Sequence, residues 1–426
     1  MPIRAAVKTN QYLKKHQLSG TEITSPVLRD LGICVVIPVH NESDVGICLA
    51  SLTNCNLPQC GVEIIAVLNG SYRDSFMEKR QNEETVGVLK KWSDQTFDCQ
   101  IRVLCLEVLD MPIRHAGVGL ARKIGMDESV RRFGVNDCHD GIIVSLDADC
   151  VVDCNYFTAL ESYFKSNTTS PGCSIHFEHA LDGDRDLHLY EGIARYELGL
   201  RYYKNGLMAS KLPYAHYTIG SALAVRANAY QSEGGMNRRQ AGEDFYFTHK
   251  IARLGGFGTL NETTVRPSNR PSNRVPFGTG NNMVRWMQGD ESLRTTYDLD
   301  AFRALADLSQ LVPSWYKSVV NIDGLPASLK DFLNEVEINS IVEDIRERVA
   351  SEQTFIQRFY RCFDALMAFR YIRYATKELS RRTLIEQASL ELLKWCSQPI
   401  PKQKNVMSLL KHYRVLDRTD AWRNNV

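Results

Sequence analysis

The chain is expected to be an α/β protein: a mainly parallel central sheet covered by helices, followed by a helical appendage. Three observations predict this. Short runs rich in Val and Ile recur at "ICVVIPV" (33–39), "VEIIAVLN" (62–69), "IRVLCLE" (101–107) and "GIIVSLD" (141–147). Segments with helical spacing, such as "SDVGICLASLTN" and "GLARKIGMDESVRRFG", separate them. From about residue 296 onward the composition turns helical. Uninterrupted apolar strands that alternate with helices need cover on both faces, the pattern of parallel βαβ units. In such sheets ligands collect at the carboxyl ends of the strands.

The bulk numbers bound the function. At 426 residues the chain exceeds one ordinary core and implies at least two domains. The 51 Lys plus Arg against 50 Asp plus Glu leave a formal charge of +1, so no global field favours nucleic acid as a partner. No segment reaches the ~20 apolar residues of a membrane-spanning helix, and "MPIRAAVKTNQYLKKHQLSG" holds no apolar core of signal-peptide length. Twelve cysteines are scattered without a C-x-x-C pair, which favours reduced thiols over a disulfide framework. The expected location is cytoplasmic, or the inner face of a membrane.

The fourth apolar run ends in acid. Asp147 and Asp149 follow Leu146 two positions apart, and side chains i and i+2 of a strand share a face. Two carboxylates on one face at a strand end suit a hard divalent cation, Mg²⁺ or Mn²⁺, which also keeps positions for water or phosphate. The alternative is a solvated acidic turn, with Asp153 capping the next helix. A second block, roughly 170 to 290, is irregular and rich in aromatics, Gly and Arg, and its tandem "RPSNRPSNR" reads as a loop. Within it, Glu243 and Asp244 follow a Gly and open an apolar-periodic helix. Neighbours on a helix diverge by ~100°, so one of the two is expected to reach a cleft. Such a carboxylate can act as a base if it stays ionised; the alternative is simple complementation of the helix dipole.

In the tail, Leu329, Phe332, Leu333, Val336, Ile345 and Val349 approximate one helical face, and "FIQRFYRCFDALMAFRYIRYATKEL" a second helix, within an appendage of four or five helices. Arg358, Arg361, Arg370, Arg373, Lys377, Arg381 and Arg382 of this tail are expected to spread around the helix, which favours a solvated exterior over a membrane-binding stripe, with peripheral membrane contact as the alternative.

Taken in order, "VVIPVHNE" (35–42), the D-x-D strand end, "GSALAVRANAYQSEGGM" and "GEDFYF" resemble family-2 glycosyltransferases of the GT-A fold, over about residues 33 to 290. The resemblance implies an N-terminal extension (1–30), a GT-A domain (31–290, with a nucleotide-binding half to 150 and an acceptor half from 151) and a helical C-terminal domain (291–426). It implies transfer of a sugar, with inversion, from a nucleotide-sugar to an acceptor hydroxyl. The donor is expected to be a UDP-sugar, and the acceptor a saccharide or a lipid-linked molecule. Asp149 would hold the cation, with Asp147 at the ribose or a metal-bound water. Asp244 matches the catalytic base, and Glu243 would orient the acceptor. Pro38, His40 and Glu42 match the donor-binding end of the first strand. Where the family usually has a pair of acids at the second strand end, this chain has Leu68 and Asn69, and Asn both donates and accepts hydrogen bonds. Arg122 matches a cation for the base or diphosphate, with helix surface as the default for it and Lys123. "NMVRW" (282–286) is similar to the Q-x-x-R-W element of processive members, which would put Arg285 on the diphosphate and Trp286 on the acceptor path; a plain amphipathic helix is the alternative. Arg270 and Arg274 are rival diphosphate ligands, since guanidinium suits phosphate geometry.

Two other function classes compete. A nucleotidyltransferase also pairs acids with a metal, but it needs a Gly-rich basic loop after the first strand, where this chain has "PVHNESD". A non-catalytic nucleotide-sugar-binding scaffold would keep the sheet without turnover.

Overall fold

The computed structural model of the chain describes residues 2–95, 100–111, 116–275, 278–378 and 382–422. Contacts divide the chain into two units that interleave in sequence. The first comprises Met1–Ala180, Thr218–Ser268 and Val275–Phe277; the second comprises Leu181–Tyr217, Asn269–Arg274 and Gly278–Val426. Residues 181–217, 269–274 and 278–290, expected within the 31–290 domain, therefore belong to the helical unit.

The first unit is α/β. Its strands are β1 (Leu31–Val39), β2 (Gly61–Ser71), β3 (Ile101–Met111), β4 (Ile142–Ser145), β5 (Val151–Val152), β6 (Gly172–Phe177), β7 (Leu223–Arg226) and β8 (Gly258–Arg266). They form one sheet in the order β3-β2-β1-β4-β7-β6-β8-β5. Four of the seven pairings are parallel, among them β3–β2, β2–β1 and β1–β4. The four expected strands are the four of this parallel half. Every residue of β2 is buried, and in β1 only Gly32 and Pro38 are not. A strand covered on both faces has no reason to alternate, which is why an unbroken apolar run marks it. Each fully buried Val, Ile or Leu contributes roughly 1.5–3 kcal/mol.

Numbered along the chain, the helices begin with α1 (Pro2–His16), α2 (Val45–Thr53), α3 (Phe76–Asp94), α4 (Val118–Val135), α5 (Tyr156–Ser166), α6 (Leu187–Ala209, in the second unit), α7 (Ala227–Ser232) and α8 (Glu243–Ala252). Strands β2 and β3 are added on one side of β1 and β4 on the other, parallel to it, and α4 runs into β4, so the loops after β1 and β4 flank a topological switch point. Helix α4 is buried almost all round. Gly125 lets it approach the sheet, because a Cβ there would lie 2.4 Å from Val36 Cγ1 and 2.9 Å from Val67 Cγ2.

Burial on every side forces α4 to satisfy its own charges. Lys123 Nζ donates to Asp127 at 2.7 Å, and Asp127 also accepts from Tyr12 and Tyr230 hydroxyls at 2.8 and 2.7 Å. Arg132 pairs with Glu63 of β2, Nη2 lying 2.7 Å from Oε1. The default expectation that Arg122 and Lys123 lie on a helix surface is thus corrected: both are buried.

The second unit contains α6, α9 (Thr279–Met287), α10 (Leu299–Leu311), α11 (Ala327–Glu335), α12 (Ile338–Arg346), α13 (Glu352–Cys362), α14 (Ala365–Glu378), α15 (Ile385–Trp395) and α16 (Val406–Arg418). A two-residue antiparallel pair, β9 (Thr295–Thr296) with β10 (Thr383–Leu384), completes it. Two expected helices are each split. Glu337, at φ 53°, is left-handed and separates α11 from α12. Asp364 caps α14, its Oδ1 accepting the amides of Leu366 and Met367 at 3.0 Å, so α13 ends before it. No helix among the described residues is long and apolar enough to cross a membrane. Eleven cysteines are free thiols among the described residues; Cys99 lies outside them.

Replacing Gly125 with Ala is expected to destabilise the first unit by about 1–3 kcal/mol through overpacking. Urea unfolding measures this, and an unchanged midpoint would mean that α4 does not depend on that close approach.

Candidate active site

The site is built where β1, β2 and β4 end and where α4 and α8 begin, all within the first unit. Ladder pairing of β4 stops at Ser145, with one further bond from Leu146 N to Val36 O at 3.1 Å. Asp147 and Asp149 therefore do not share a strand face, as the sequence pattern suggested. They occupy a turn closed by Cys150 N donating to Asp147 O at 3.1 Å. The turn still brings them together: one ligand atom each of Asp147, Asp149 and Cys150 lie within 4.8 Å of one another. Burial pushes the Cys150 thiol well above its usual pKa, reinforced by Asp149 and Asp147, so it stays neutral. The donor set is thus two carboxylates beside a buried thiol. Two carboxylate oxygens fit a hard divalent cation completed by water or phosphate oxygen.

At the start of α8, Gly242 adopts φ 72°, a left-handed conformation that glycine takes without strain and that turns the chain into the helix. Glu243 and Asp244 then occupy the first turn, where the helix dipole favours negative charge. They diverge as helical neighbours must. Glu243 is buried and meets the Arg122 guanidinium. Asp244 is half-buried, its Oδ2 accepting from Gly220 N at 3.0 Å and its Oδ1 from Phe245 N at 2.7 Å.

Arg122 joins the two acidic segments. Its Nη1 pairs with Glu243 and its Nη2 with Asp147. Gly220 makes room for it, since a Cβ there would lie 2.5 Å from Nη1. Burial opposes the charge of Arg122, but Asp147, Glu243 and Asp244 together outweigh it and hold the guanidinium above its usual pKa. The acids feel the reverse balance. Burial raises Glu243 to about 7 against the pull of Arg122, with Asp244 adding to the rise. Asp244 is raised as well, by burial first. One guanidinium thus faces more than one carboxylate, which leaves a proton-accepting group poised above the ordinary carboxylate range.

The loops after β1 and β2 form the neighbouring wall. His40 Nδ1 lies 3.0 Å from Asn69 O; a carbonyl only accepts, so Nδ1 carries the proton. Glu42 is buried and accepts from Asp44 N at 3.0 Å, shaping the loop. Pro38 is half-buried within β1. The Asn69 side chain is buried, and its Oδ1 has no hydrogen-bond partner among the described residues.

Arg285 and Trp286 lie on α9, in the second unit. Arg285 is exposed and pairs with Asp290. Trp286 is 2 % exposed; its Nε1 donates to His188 O at 2.8 Å and its ring stacks on His188 at 4.8 Å. Gly192 of α6 leaves room for the indole. Trp286 packs the helical unit and has no free face for an acceptor, in line with the plain-helix alternative. Arg270 and Arg274 also belong to the second unit.

Two contributors escaped sequence reasoning. The Gly220 amide that holds Asp244 sits inside a segment singled out for its pattern, but a backbone donor leaves no side-chain signal. Asn82 on α3 pins the loop after β1, its Oδ1 accepting from Asn41 N at 2.8 Å, and nothing in its neighbourhood announces this.

No protein-family model and no curated protein matches the chain. Among solved structures it is similar to S. aureus TarS 1–349, at 11% identity over 92% of each chain with a TM-score of 0.39. The same protein in complex with UDP-GlcNAc gives 12% identity, 92% of each chain and 0.38. The mannosyltransferase PcManGT from Pyrobaculum calidifontis, in complex with GDP-Man and Mn²⁺, gives 12% identity, 100% of this chain, 95% of that one and 0.33. The reading of the site rests on its own geometry.

Because Glu243 is raised in the folded state, the native protein binds more protons than the unfolded chain between the ordinary Glu range and about pH 7. Its contribution to stability is present below that range and is lost as pH rises through 7. The Glu243→Gln variant lacks this loss, so its stability relative to wild type is expected to improve from pH 5 to pH 8. Urea unfolding at both pH values tests it, and a difference independent of pH would contradict the assigned environment.

Proposed function

We propose that the chain is a metal-dependent glycosyltransferase of the GT-A kind, moving a sugar from a nucleoside-diphosphate donor to an acceptor hydroxyl. The observation that carries this reading is the Arg122 bridge: one guanidinium holds the Asp147 turn on one side and the start of α8 on the other. The Asp147 turn and the acidic start of α8 are thereby tied to one guanidinium, beside the switch point of a parallel half-sheet.

Each role follows from the chemistry of its group. Asp149 and Asp147 would hold Mg²⁺ or Mn²⁺, which when bound supplies positive charge for the departing diphosphate. Asp244 accepts the acceptor's hydroxyl proton as the acceptor oxygen bonds to the anomeric carbon. The bond from that carbon to the diphosphate oxygen breaks, and the diphosphate leaves with the electron pair. A single displacement of this form inverts the anomeric centre. Glu243 keeps Arg122 in place and orients the acceptor. Asn69, with an unpartnered buried carbonyl oxygen, suits an N–H donor on the nucleobase, such as the imide of uracil. His40, Glu42 and Pro38 shape the adjoining wall for the donor. This chemistry draws on neither Arg285 nor Trp286.

Two variants test the assignment of roles. Asp244→Asn is expected to lower turnover by about 10²–10⁴-fold while donor binding persists; wild-type-like transfer would move the base to another group. Asp149→Ala is expected to abolish metal-dependent turnover with an unchanged unfolding transition, and undiminished turnover would remove the cation from that turn. Thermal shift across nucleotide-sugars, with and without Mn²⁺, should stabilise the protein by about 2.7 kcal/mol at a hundredfold excess over Kd for the true donor. Donor-induced shifts without turnover on any hydroxyl acceptor would favour the scaffold reading.

A further inference from the structure

The helical unit carries a second concave site. A groove of about 840 Å³ opens between α11 and α14 and is bordered by the segments next to β9 and β10. Four cations line it: Arg370, Arg373 and Lys377 of α14, and Arg382 beyond the helix. Positions 370, 373 and 377 recur at helical spacing on one face, so the sequence expectation that these cations scatter around the helix is corrected for these three. They extend over about 10 Å of helix axis.

Among the described residues, no carboxylate lies within ion-pair distance of the four, and Glu335 is the one acidic side chain of the lining. Arg382 spends one bond on Thr295 O at 3.2 Å, and Arg373 lies over the Phe369 ring at 5.7 Å. Two buried or nearly buried arginines elsewhere in this unit are neutralised: Arg201 donates to Glu197 at 2.9 Å and Arg414 to Glu197 at 2.7 Å. The groove also exposes ring surface. Tyr297, Phe369 and Tyr374 are half-buried along it, held by ring contacts of 6.3 Å between Tyr297 and Phe369 and 5.9 Å between Tyr374 and Phe332.

We propose that this groove binds an anionic saccharide chain, one bearing phosphate, sulfate or carboxylate groups along its length. Guanidinium and ammonium groups in a row match repeated anionic groups better than a single phosphate. Flat aromatic faces between them suit the apolar faces of sugar rings. The concave shape favours a narrow chain over a flat membrane surface, and the near-neutral net charge of +1 supplies no long-range attraction to nucleic acid. The proposal deepens the glycosyltransferase reading by naming the class of acceptor, and it rests on that reading for the saccharide part of the ligand.

The test measures binding of the full-length chain to sulfated and unsulfated dextran oligosaccharides of equal length, to a single-stranded oligonucleotide and to phosphatidylglycerol vesicles. The sulfated oligosaccharide should bind at least tenfold tighter than the unsulfated one. The triple variant Arg370→Ser, Arg373→Ser, Lys377→Ser should lose at least tenfold, with unfolding and nucleotide-sugar shifts unchanged. Tyr297→Ser should weaken the oligosaccharide severalfold and leave inorganic sulfate unaffected. Equal binding of sulfated and neutral chains, no binding, or insensitivity to the triple variant overturns the groove. Tighter groove-dependent binding of the oligonucleotide or the vesicles assigns it to that ligand instead and equally overturns the proposal. Oligosaccharide binding without nucleotide-sugar shifts would sink the glycosyltransferase reading and leave the groove standing; the reverse pattern sinks only the groove.

Discussion

The site depends on one buried guanidinium that cannot stand alone. Arg122 is 4 % exposed, and a charge removed from water to that degree persists only if it is paired. Asp147 and Glu243 provide the pairing, from a turn and a helix start that are 96 positions apart in sequence. Because breaking a buried pair leaves an uncompensated charge, the three groups hold one another in place. Burial raises Glu243 and Asp244 above the ordinary carboxylate range, against the pull of Arg122. The guanidinium sets position, and burial sets the acid–base poise.

The rest of the first unit supports that guanidinium. Central strands β1 and β2 are apolar on both faces, so α4 is pressed onto them, with Gly125 allowing contact with Val36 and Val67. The helix can then expose almost nothing, and its remaining charges form buried pairs of their own with Asp127 and Glu63. The switch in strand order falls between β1 and β4, and the loops carrying His40 and Asp147 both leave the carboxyl ends of these strands. A parallel half-sheet is thus what places the Asp147 turn and the loops after β1 and β2 at the same end of the sheet.

Much of this was legible in the residues. Doubly covered strands need unbroken apolar runs, so β1 to β4 could be located to within a few positions. The acidic residues at 147, 149, 243 and 244 stood out because carboxylates interrupt apolar patterns at element ends. Other features carry no such signal. Strand β7 is four residues long and pairs antiparallel with β4, too short for any periodicity to establish. The carboxylates of Asp147 and Asp149 meet through a turn and not through strand alternation, because pairing stops at Ser145. Arg122 looks like any surface arginine until a distant Glu and Asp are brought to it. Trp286 fitted a motif, yet its indole fills a space left by Gly192 inside the helical unit.

The most direct measurement is a crystal structure of the chain grown with UDP and Mn²⁺, with the metal located by its anomalous scattering. The account predicts a manganese peak on the Asp149 and Asp147 carboxylates, the diphosphate beside it, and Asp244 facing the terminal phosphate across space for one sugar. A metal bound elsewhere, or a diphosphate lying away from the Arg122 bridge, would contradict it.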